Sequence, residues 1–288
     1  MTPGPAGYWQ SLALTVILGL AMCCNALRSR ADERPLWEFG LGAGTVVFPE
    51  FRGADTSHIY PVPVPYLIYR GEFLKSDRNG LRELLFDSSR LELNVSVNAT
   101  TPVRSRNSDV RAGMPDLKPT VEVGPSLDAH LWRTADERVR LDFQLPARRV
   151  VTIENDPHAA GWFIGPRLNL DIRDVGGNTG MDTGLLVSPL FADRAYHDYF
   201  YTVAPQFATS SRPAYQAAGG YSGTELLWAA SKRFPTYWVG AFVRYDTLAG
   251  ATFLPSPLVR RHEYWAGGVG IAWMLGKSSR LVEALDEP

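Results

Sequence analysis

Hydrophobic and polar residues alternate along most of the chain after residue 31. Three segments show the alternation most clearly, each with an apolar face and a strongly polar face: Arg90–Asn98, Arg138–Leu145 and Arg167–Arg173. Successive side chains of a β-strand point to opposite faces, so a period of two predicts strands.

Nine further segments show a weaker form of the same pattern. They are Trp37–Phe48, Ile59–Arg70, Leu81–Phe86, Thr120–Trp132, Thr183–Phe191, Tyr196–Gln206, Gly223–Arg233, Tyr237–Thr247 and His262–Leu275. Together with the three clear ones they give about twelve strands, and a spacing of ~20 residues per strand and connection gives about the same number. Linkers rich in Gly, Pro, Asn and Asp separate them, and no break in composition divides the chain. We therefore predict a single all-β domain.

Alternation alone does not say which face looks outward, so a secreted β-sandwich and a membrane barrel both fit it. Strands of nine to twelve residues are long enough to cross a bilayer at a tilt. Aromatic residues cluster near the predicted strand ends, as an interfacial belt requires. Those clusters are Trp37, Phe48, Trp132, Trp162, Tyr199–Tyr201, Trp238 and Trp265. These features favour an antiparallel transmembrane β-barrel with apolar rows facing lipid and a polar lumen.

The N-terminus supports export to the outer membrane. Leu12–Cys24 is an uncharged apolar run of 13 residues, too short to span a bilayer as a helix but suited to the core of a signal peptide. We place the signal peptide at residues 1–31, with Ala26 as the alternative cleavage site, the barrel at 32–276 and a periplasmic C-terminal tail at 277–288. Within the tail, Ser279–Glu287 has the spacing of a short helix; it is either a frayed end or a docking peptide for a periplasmic partner.

Composition removes several classes of function. A formal net charge of -1 gives no basic field for nucleic acid. Mean hydropathy is -0.12, which argues against a bundle of transmembrane helices. The two cysteines, Cys23 and Cys24, both fall in the predicted signal peptide, so the mature chain is expected to hold neither a disulfide nor a zinc–thiolate site.

No motif for catalysis or for cofactor binding is complete. Gly220-Tyr221-Ser222-Gly223 is similar to a nucleophile elbow, but Thr224 occupies the position where a final glycine is required, and a turn is the better interpretation. The five histidines are not spaced for a metal pair. We therefore expect no cofactor, no metal and no enzymatic activity.

Charged residues on the polar faces are the candidate functional residues. They are Arg90, Glu92, Arg138, Arg140, Asp142, Arg167, Asp171, Arg173 and Arg244. Two interpretations remain open for these candidate lumen-lining charges. They form either a ladder of ion pairs that fills a narrow lumen or the wall of an ion-selective pore.

An ordered set of short motifs runs through nearly the whole mature chain. It includes Trp37–Gly44, Phe48–Asp55, Pro63–Tyr66, Val123–Leu127, Pro166–Asn169, Tyr196–Tyr201, Gly219–Gly223, Gly240–Asp246 and Ser256–Val259. In these motifs the sequence resembles the MipA/OmpV family of Gram-negative outer-membrane proteins. The resemblance implies a barrel in the outer membrane, surrounded by its lipid. It also implies a scaffold role that joins a murein (peptidoglycan) transglycosylase to a penicillin-binding synthase; a small-solute diffusion pore is the alternative. It implies no catalytic residues.

Overall fold

The computed structural model describes residues 33–70, 74–77, 80–87 and 90–283, so the predicted signal peptide lies outside the described residues. Its strands are β1 (Glu33–Pro35), β2 (Trp37–Pro49), β3 (Ser57–Arg70), β4 (Leu74–Asp77), β5 (Gly80–Asp87), β6 (Leu91–Thr100), β7 (Thr120–Arg133), β8 (Val139–Thr152), β9 (Ala159–Ile164), β10 (Arg167–Ile172), β11 (Met181–Ala192), β12 (Gly220–Arg233), β13 (Tyr237–Thr247), β14 (Glu263–Lys277) and β15 (Leu281–Glu283). One α-helix, α1 (Arg194–Tyr201), lies between β11 and β12.

The strand pairings follow chain order and return to their starting point. Each strand from β2 to β8 pairs antiparallel with the next, as does each strand from β10 to β14, and β14 pairs with β2. Both β9 and β10 pair with β8 and with β11, so they occupy one position in the ring as a single broken strand. The described strands thus occupy twelve positions, which confirms the predicted antiparallel barrel of about twelve strands.

The two ends of the barrel differ. Turns of at most eight residues follow β7, β10 and β12, at the end where the described chain begins and ends. Three long connections lie at the other end, residues 101–119, 193–219 and 248–262, with two shorter ones, residues 50–56 and 153–158. Barrels of this kind have short periplasmic turns and long extracellular loops, so the long connections face the outside. At the periplasmic end β1 pairs with β15. Leu281–Glu283 is therefore a strand, and the helix predicted around it is wrong there.

The outward faces of the strands are apolar, as a lipid-facing surface requires. Trp37, Trp132 and Trp273 are exposed near the periplasmic end, and Trp162 and Trp265 near the extracellular end. Trp265 and Trp273 lie eight residues apart on β14, about 27 Å along a strand. This is close to the ~25 Å height of the lipid-facing band of such barrels. No helix among the described residues is long and apolar enough to cross a membrane.

Other aromatic residues predicted for the belt lie elsewhere. Phe48 points into the lumen and stacks on Tyr60 with ring centroids 4.9 Å apart. Trp238 also points inward, since its ring lies over Gly240 on the same face of β13. Tyr199–Tyr201 belong to α1, because the predicted strand Tyr196–Gln206 is in fact this helix followed by a 3-10 turn.

The helix α1 begins where an aspartate satisfies its first free backbone groups. The side chain of Asp193 accepts a hydrogen bond from the backbone N–H of Tyr196 at 2.9 Å, which is N-terminal capping. The next eight residues carry four aromatic rings, and their pattern along the sequence does not distinguish a helix from a strand. N-terminal capping and burial of those rings against neighbouring loops favour the helix.

Glycines on β2 make room for the neighbouring strand. A Cβ atom added to Gly42 would lie 1.7 Å from the carbonyl oxygen of Ile271 on β14. No side chain fits there, so close packing of the first and last spanning strands requires glycine at this position.

Candidate functional site

The lumen has a polar wall, formed by the inward faces of β6, β7, β8 and β10. Asp128 lies at its centre, buried, and accepts hydrogen bonds from Asn94, Ser126 and Gln144 at 3.1, 2.7 and 3.1 Å. The amide of Asn94 also donates to Glu92 at 2.9 Å. Buried carboxylates are stable only when such partners replace water, and this network supplies them.

Ion pairs extend the polar wall above and below this network. Asp142 contacts His130 at 2.8 Å and Arg140 at 3.1 Å. Nearer the extracellular end, Arg148 pairs with Glu122 at 3.0 Å, and both are buried. This arrangement matches the ladder interpretation of the charged rows, because most of the charges bind each other and not a passing ion.

Arg167 on β10 differs from the other arginines of this wall in that no ion pair joins its guanidinium to a described carboxylate. Its Nε atom is buried and makes no hydrogen bond within the described residues, which is also true of Arg140 and Arg148, but those two pair with Asp142 and Glu122. Arg167 pairs across the strands with Gln144, at mid-height in the barrel. A partly buried cation without a hydrogen-bonded partner is costly, so this position is suited to an anionic ligand.

The opposite wall, formed by β2, β3, β13 and β14, is largely apolar. Its inward residues include Val46, Tyr60, Val62, Val64 and Phe242, all only half-buried, together with the inward glycines of β2 and β14. An ion pair of buried Glu38 with exposed Arg233 lies at its periplasmic end. Because the apolar side chains keep part of their surface accessible, they line a space and do not fill it.

The structure places the predicted lumen charges in two groups. Glu92, Arg140, Asp142, Arg167, Asp171 and Arg244 have inward-facing positions on strands. Arg90, Arg138 and Arg173 lie just outside the strands at the periplasmic rim. There Arg138 is half exposed and pairs with Asp136 at 3.7 Å and Asp174 at 3.6 Å, which links two periplasmic turns. For these three arginines, the alternation of polar and apolar residues in the sequence continues one residue beyond the end of the strand.

Four of the connections at the extracellular end pack together into what we call the cap: residues 50–56, 101–119, 193–219 and 248–262. Their buried apolar residues form one cluster, which includes Phe51, Val103, Leu117, Tyr201, Phe253 and Leu258. The rings of Tyr201 and Phe253 stack with centroids 3.7 Å apart. The cap therefore has a hydrophobic core of its own above the lumen.

Two buried arginines bind backbone carbonyls within the cap. Arg212 donates to the carbonyls of Val110 and Ala112, both at 2.9 Å. Arg111 donates to Phe200 at 3.2 Å, and burial lowers its pKa to about 10. These bonds join residues 101–119 to residues 193–219 and satisfy carbonyls that a packed loop would otherwise leave without donors.

A third arginine fastens the cap to the barrel wall. Arg52 donates to Asp246 at 3.2 Å, to the hydroxyl of Tyr264 at 3.2 Å and to the carbonyl of Ser222 at 2.6 Å. Asp246 is fully buried and also accepts from Arg244 at 2.7 Å. The pKa of Arg52 is raised, because nearby Tyr264 and Asp246 favour its charged form more than burial opposes it.

Ser222, whose motif resembles a nucleophile elbow, forms a pair with His197 that the sequence did not indicate. His197 Nε2 lies 2.7 Å from Ser222 Oγ, and its Nδ1 lies 2.6 Å from the carbonyl oxygen of Ala218. This is the orientation of a serine activated by a histidine base. Both side chains are buried, however, and the ring of Phe253 covers the imidazole at 4.8 Å. In this position the pair links α1 to the first residues of β12.

No group of three or more potential ligand residues able to hold a metal occurs in the described part of the chain. The missed pair could not have been found from spacing, because 25 residues separate its members and the fold of the cap brings them together.

The architecture is that of an outer-membrane β-barrel with a closed extracellular cap. Comparison with known proteins identifies its family: residues 41–275 match the model of MltA-interacting protein MipA. The chain belongs to the MipA family and is an outer-membrane protein. It is similar to outer membrane protein OmpV of Vibrio cholerae, with 24% identity over 211 residues, covering 71% of this chain and 75% of that protein.

Among solved structures, the outer membrane phospholipase A of Escherichia coli matches with a TM-score of 0.33 and 11% sequence identity. The match covers 84% of this chain and 94% of the phospholipase.

Proposed function

We propose that this protein is an outer-membrane scaffold for murein remodelling, which holds a lytic transglycosylase and a penicillin-binding synthase at its periplasmic end. The observation that supports this role most directly is the cap. A hydrophobic core and three arginines join four connections at the extracellular end, which favours a capped barrel over an open diffusion pore. The name of the family model, MltA-interacting protein, supplies the class of partner.

The periplasmic end offers a well-ordered surface for that partner. Asp174 accepts hydrogen bonds from the backbone N–H groups of Asn178 and Gly180 at 2.7 and 2.8 Å. These bonds hold the turn after β10, and they lower the pKa of Asp174. The Arg138–Asp174 ion pair then joins this turn to the one after β7. We propose that these two turns form the docking surface.

The scaffold role can be tested by capture from envelope membranes solubilised in mild detergent after light crosslinking. The affinity-tagged protein should recover a transglycosylase and, with it, a penicillin-binding protein. Arg138→Ala combined with Asp174→Ala should abolish the recovery. As a control, Arg194→Ala removes the Arg194–Asp198 pair on the cap helix. This substitution should leave the recovery of both enzymes unchanged. Both ion pairs are largely solvent-exposed and contribute little to stability, and the turn that Asp174 also holds lies outside the strands, so barrel assembly should be equal.

Two outcomes would contradict the proposal in different ways. Recovery of neither enzyme by the unaltered protein would reject the scaffold role itself. Equal recovery by both variants would reject the two turns as the docking surface.

We also propose that the chain is not an enzyme, because the serine that most resembles a nucleophile is inaccessible. A fluorophosphonate probe, which modifies activated serines, should leave Ser222 unlabelled in the folded protein. Stoichiometric labelling that disappears in His197→Gln would show an active pair and overturn this conclusion.

A further inference from the structure

The barrel wall has a lateral opening in its extracellular half, between β3 and β6. Residues Ser57–Pro65 of β3 pair with β2, and no described strand pairs with their other edge. Residues Val95–Thr100 of β6 likewise pair only with β7 within the described residues. The strands between them, β4 and β5, have 4 and 8 residues. They meet β3 and β6 only toward the periplasmic end.

The length of the chain independently requires this opening. Strand β3 ends at Arg70 and β6 begins at Leu91, which leaves 20 residues, 71–90, for two strands and three turns. Each strand that crosses a bilayer needs about 9–11 residues. Two complete strands with their turns do not fit, so the wall cannot reach full height between β3 and β6.

The edge of β3 is built to remain without a neighbour. Pro61, Pro63 and Pro65 alternate with Val62 and Val64 along the part of β3 that pairs with β2. None of the three prolines has an N–H to donate to a further strand. Proline is confined to such edge positions in sheets and prevents the edge from pairing with another strand.

The two unlike walls of the lumen meet at this opening. On one side the inward face of β3 presents Tyr60, Val62 and Val64; on the other the inward face of β6 presents Ser96 and Asn98. Six positions around the ring from β3, on the far side of the lumen, lies Arg167 of β10 with its buried Nε unpartnered. A molecule that fits has a hydrocarbon chain for the apolar wall and an anionic group for the arginine.

We propose that the lumen binds a phosphate-bearing lipid that enters sideways from the outer leaflet through the opening between β3 and β6. Its hydrocarbon chain lies against Val62 and Val64, and its phosphate binds Arg167. The cap closes the lumen to water-borne solutes from outside, whereas the opening faces lipid. This inference does not depend on the scaffold role, which concerns the periplasmic turns.

Photo-crosslinking tests the entry of the chain. A photoreactive phenylalanine analogue is placed at Val62 or, as a control, at Phe207, a partly buried residue of the cap that lies outside the barrel wall. The protein is reconstituted in vesicles that contain a radiolabelled phosphatidic acid and is then irradiated. Label should attach at position 62 and not at 207. Absence of label at both positions, or equal label at both, would overturn the proposal.

Native mass spectrometry tests the anionic site. The purified protein is titrated with a lysophosphatidic acid and, separately, with the monoacylglycerol of the same chain, which lacks the phosphate. The unaltered protein should prefer the phosphate form, and Arg167→Gln should weaken its binding by about tenfold or more, the usual effect of losing a charged hydrogen-bond partner.

The control for this titration is Arg149→Gln. Arg149 points outward on the neighbouring strand, over the ring of Trp162 at 5.3 Å, and its loss should leave the preference intact. Heat-modifiable migration on gels verifies that each variant folds. Equal binding of the two ligands by the unaltered protein, or an equal loss in both variants, would reject Arg167 as the phosphate site.

Discussion

Asp246→Asn should release the cap from the barrel while leaving the barrel itself folded. Asp246 is fully buried and binds two cations, Arg52 from the cap at 3.2 Å and Arg244 from its own strand at 2.7 Å. The asparagine keeps the shape of the side chain but removes the negative charge. Two arginines of like charge then remain close together in a buried site.

The expected magnitude follows from the number of charges left without a partner. Breaking a buried ion pair by removing one partner costs about 3–5 kcal/mol. If this cost opposes docking of the cap on the barrel, the equilibrium constant for local opening of the cap increases by roughly two to three and a half orders of magnitude. Arg52→Gln should have a smaller effect, since Asp246 keeps Arg244 and only hydrogen bonds to a charged group are lost, about 1.5–3 kcal/mol.

Hydrogen–deuterium exchange measures this opening peptide by peptide. Protection of residues 50–56 and 248–262 should be lowest in Asp246→Asn, intermediate in Arg52→Gln and highest in the unaltered protein. Strand β7 on the far wall should not change. Asp136→Asn, which alters an exposed periplasmic carboxylate, serves as the control. Equal protection of the cap in all four proteins would show that the arginine does not hold it, and the reasoning would fail.

Three further predictions concern the cap, strand closure and the lipid face. Burial lowers the pKa of His197 from its ordinary 6.5. The neutral His197 therefore contributes its full stabilisation above pH ~6.5, and this contribution is lost as the pH falls below that value. Hydrogen exchange in residues 193–219 should accelerate at pH 5. In His197→Gln this acceleration should disappear. Gly42→Ala should prevent barrel closure and abolish heat-modifiable migration, whereas Gly267→Ala, whose added Cβ meets its nearest atom at 3.1 Å, should still assemble. Val269→Arg, outward on β14, should lower the free energy of unfolding in urea by about 2–4 kcal/mol; an unchanged value would contradict the assigned lipid face.

The strands and the polar wall could be predicted from the sequence because both depend on local alternation. On β6, β8 and β10 an apolar residue follows a charged one, so periodicity marks the strand and separates its faces. Inward glutamate and aspartate residues such as Glu92 and Asp142 were predicted for this reason. Predicting their partners was not feasible, because Asp128 and His130 come from β7, whose own alternation is weak.

The cap could not be predicted, because its contacts join segments that lie far apart in the chain. Arg52 reaches Asp246 across 194 residues, and nothing near either residue indicates the other. The aromatic run Tyr196–Tyr201 has the composition of a strand and becomes a helix through the capping aspartate and burial among loops. Local propensity gives way to tertiary packing at these positions.

The division of the lumen follows from the way the ring closes. Its polar wall comes from consecutive strands in the middle of the chain, β6 to β10. Its apolar wall comes from both ends of the chain, β2 with β3 and β13 with β14, which become neighbours because β14 pairs with β2. The two walls meet at two places around the ring. Between β11 and β12 the meeting point is sealed by a ladder from Met181 to Ala192. Between β3 and β6 it is open above the short hairpin β4–β5. Among the described strands, this opening is therefore the place where an amphiphile can bring its chain to the apolar wall and its head toward the polar one, and such a route requires no opening through the cap.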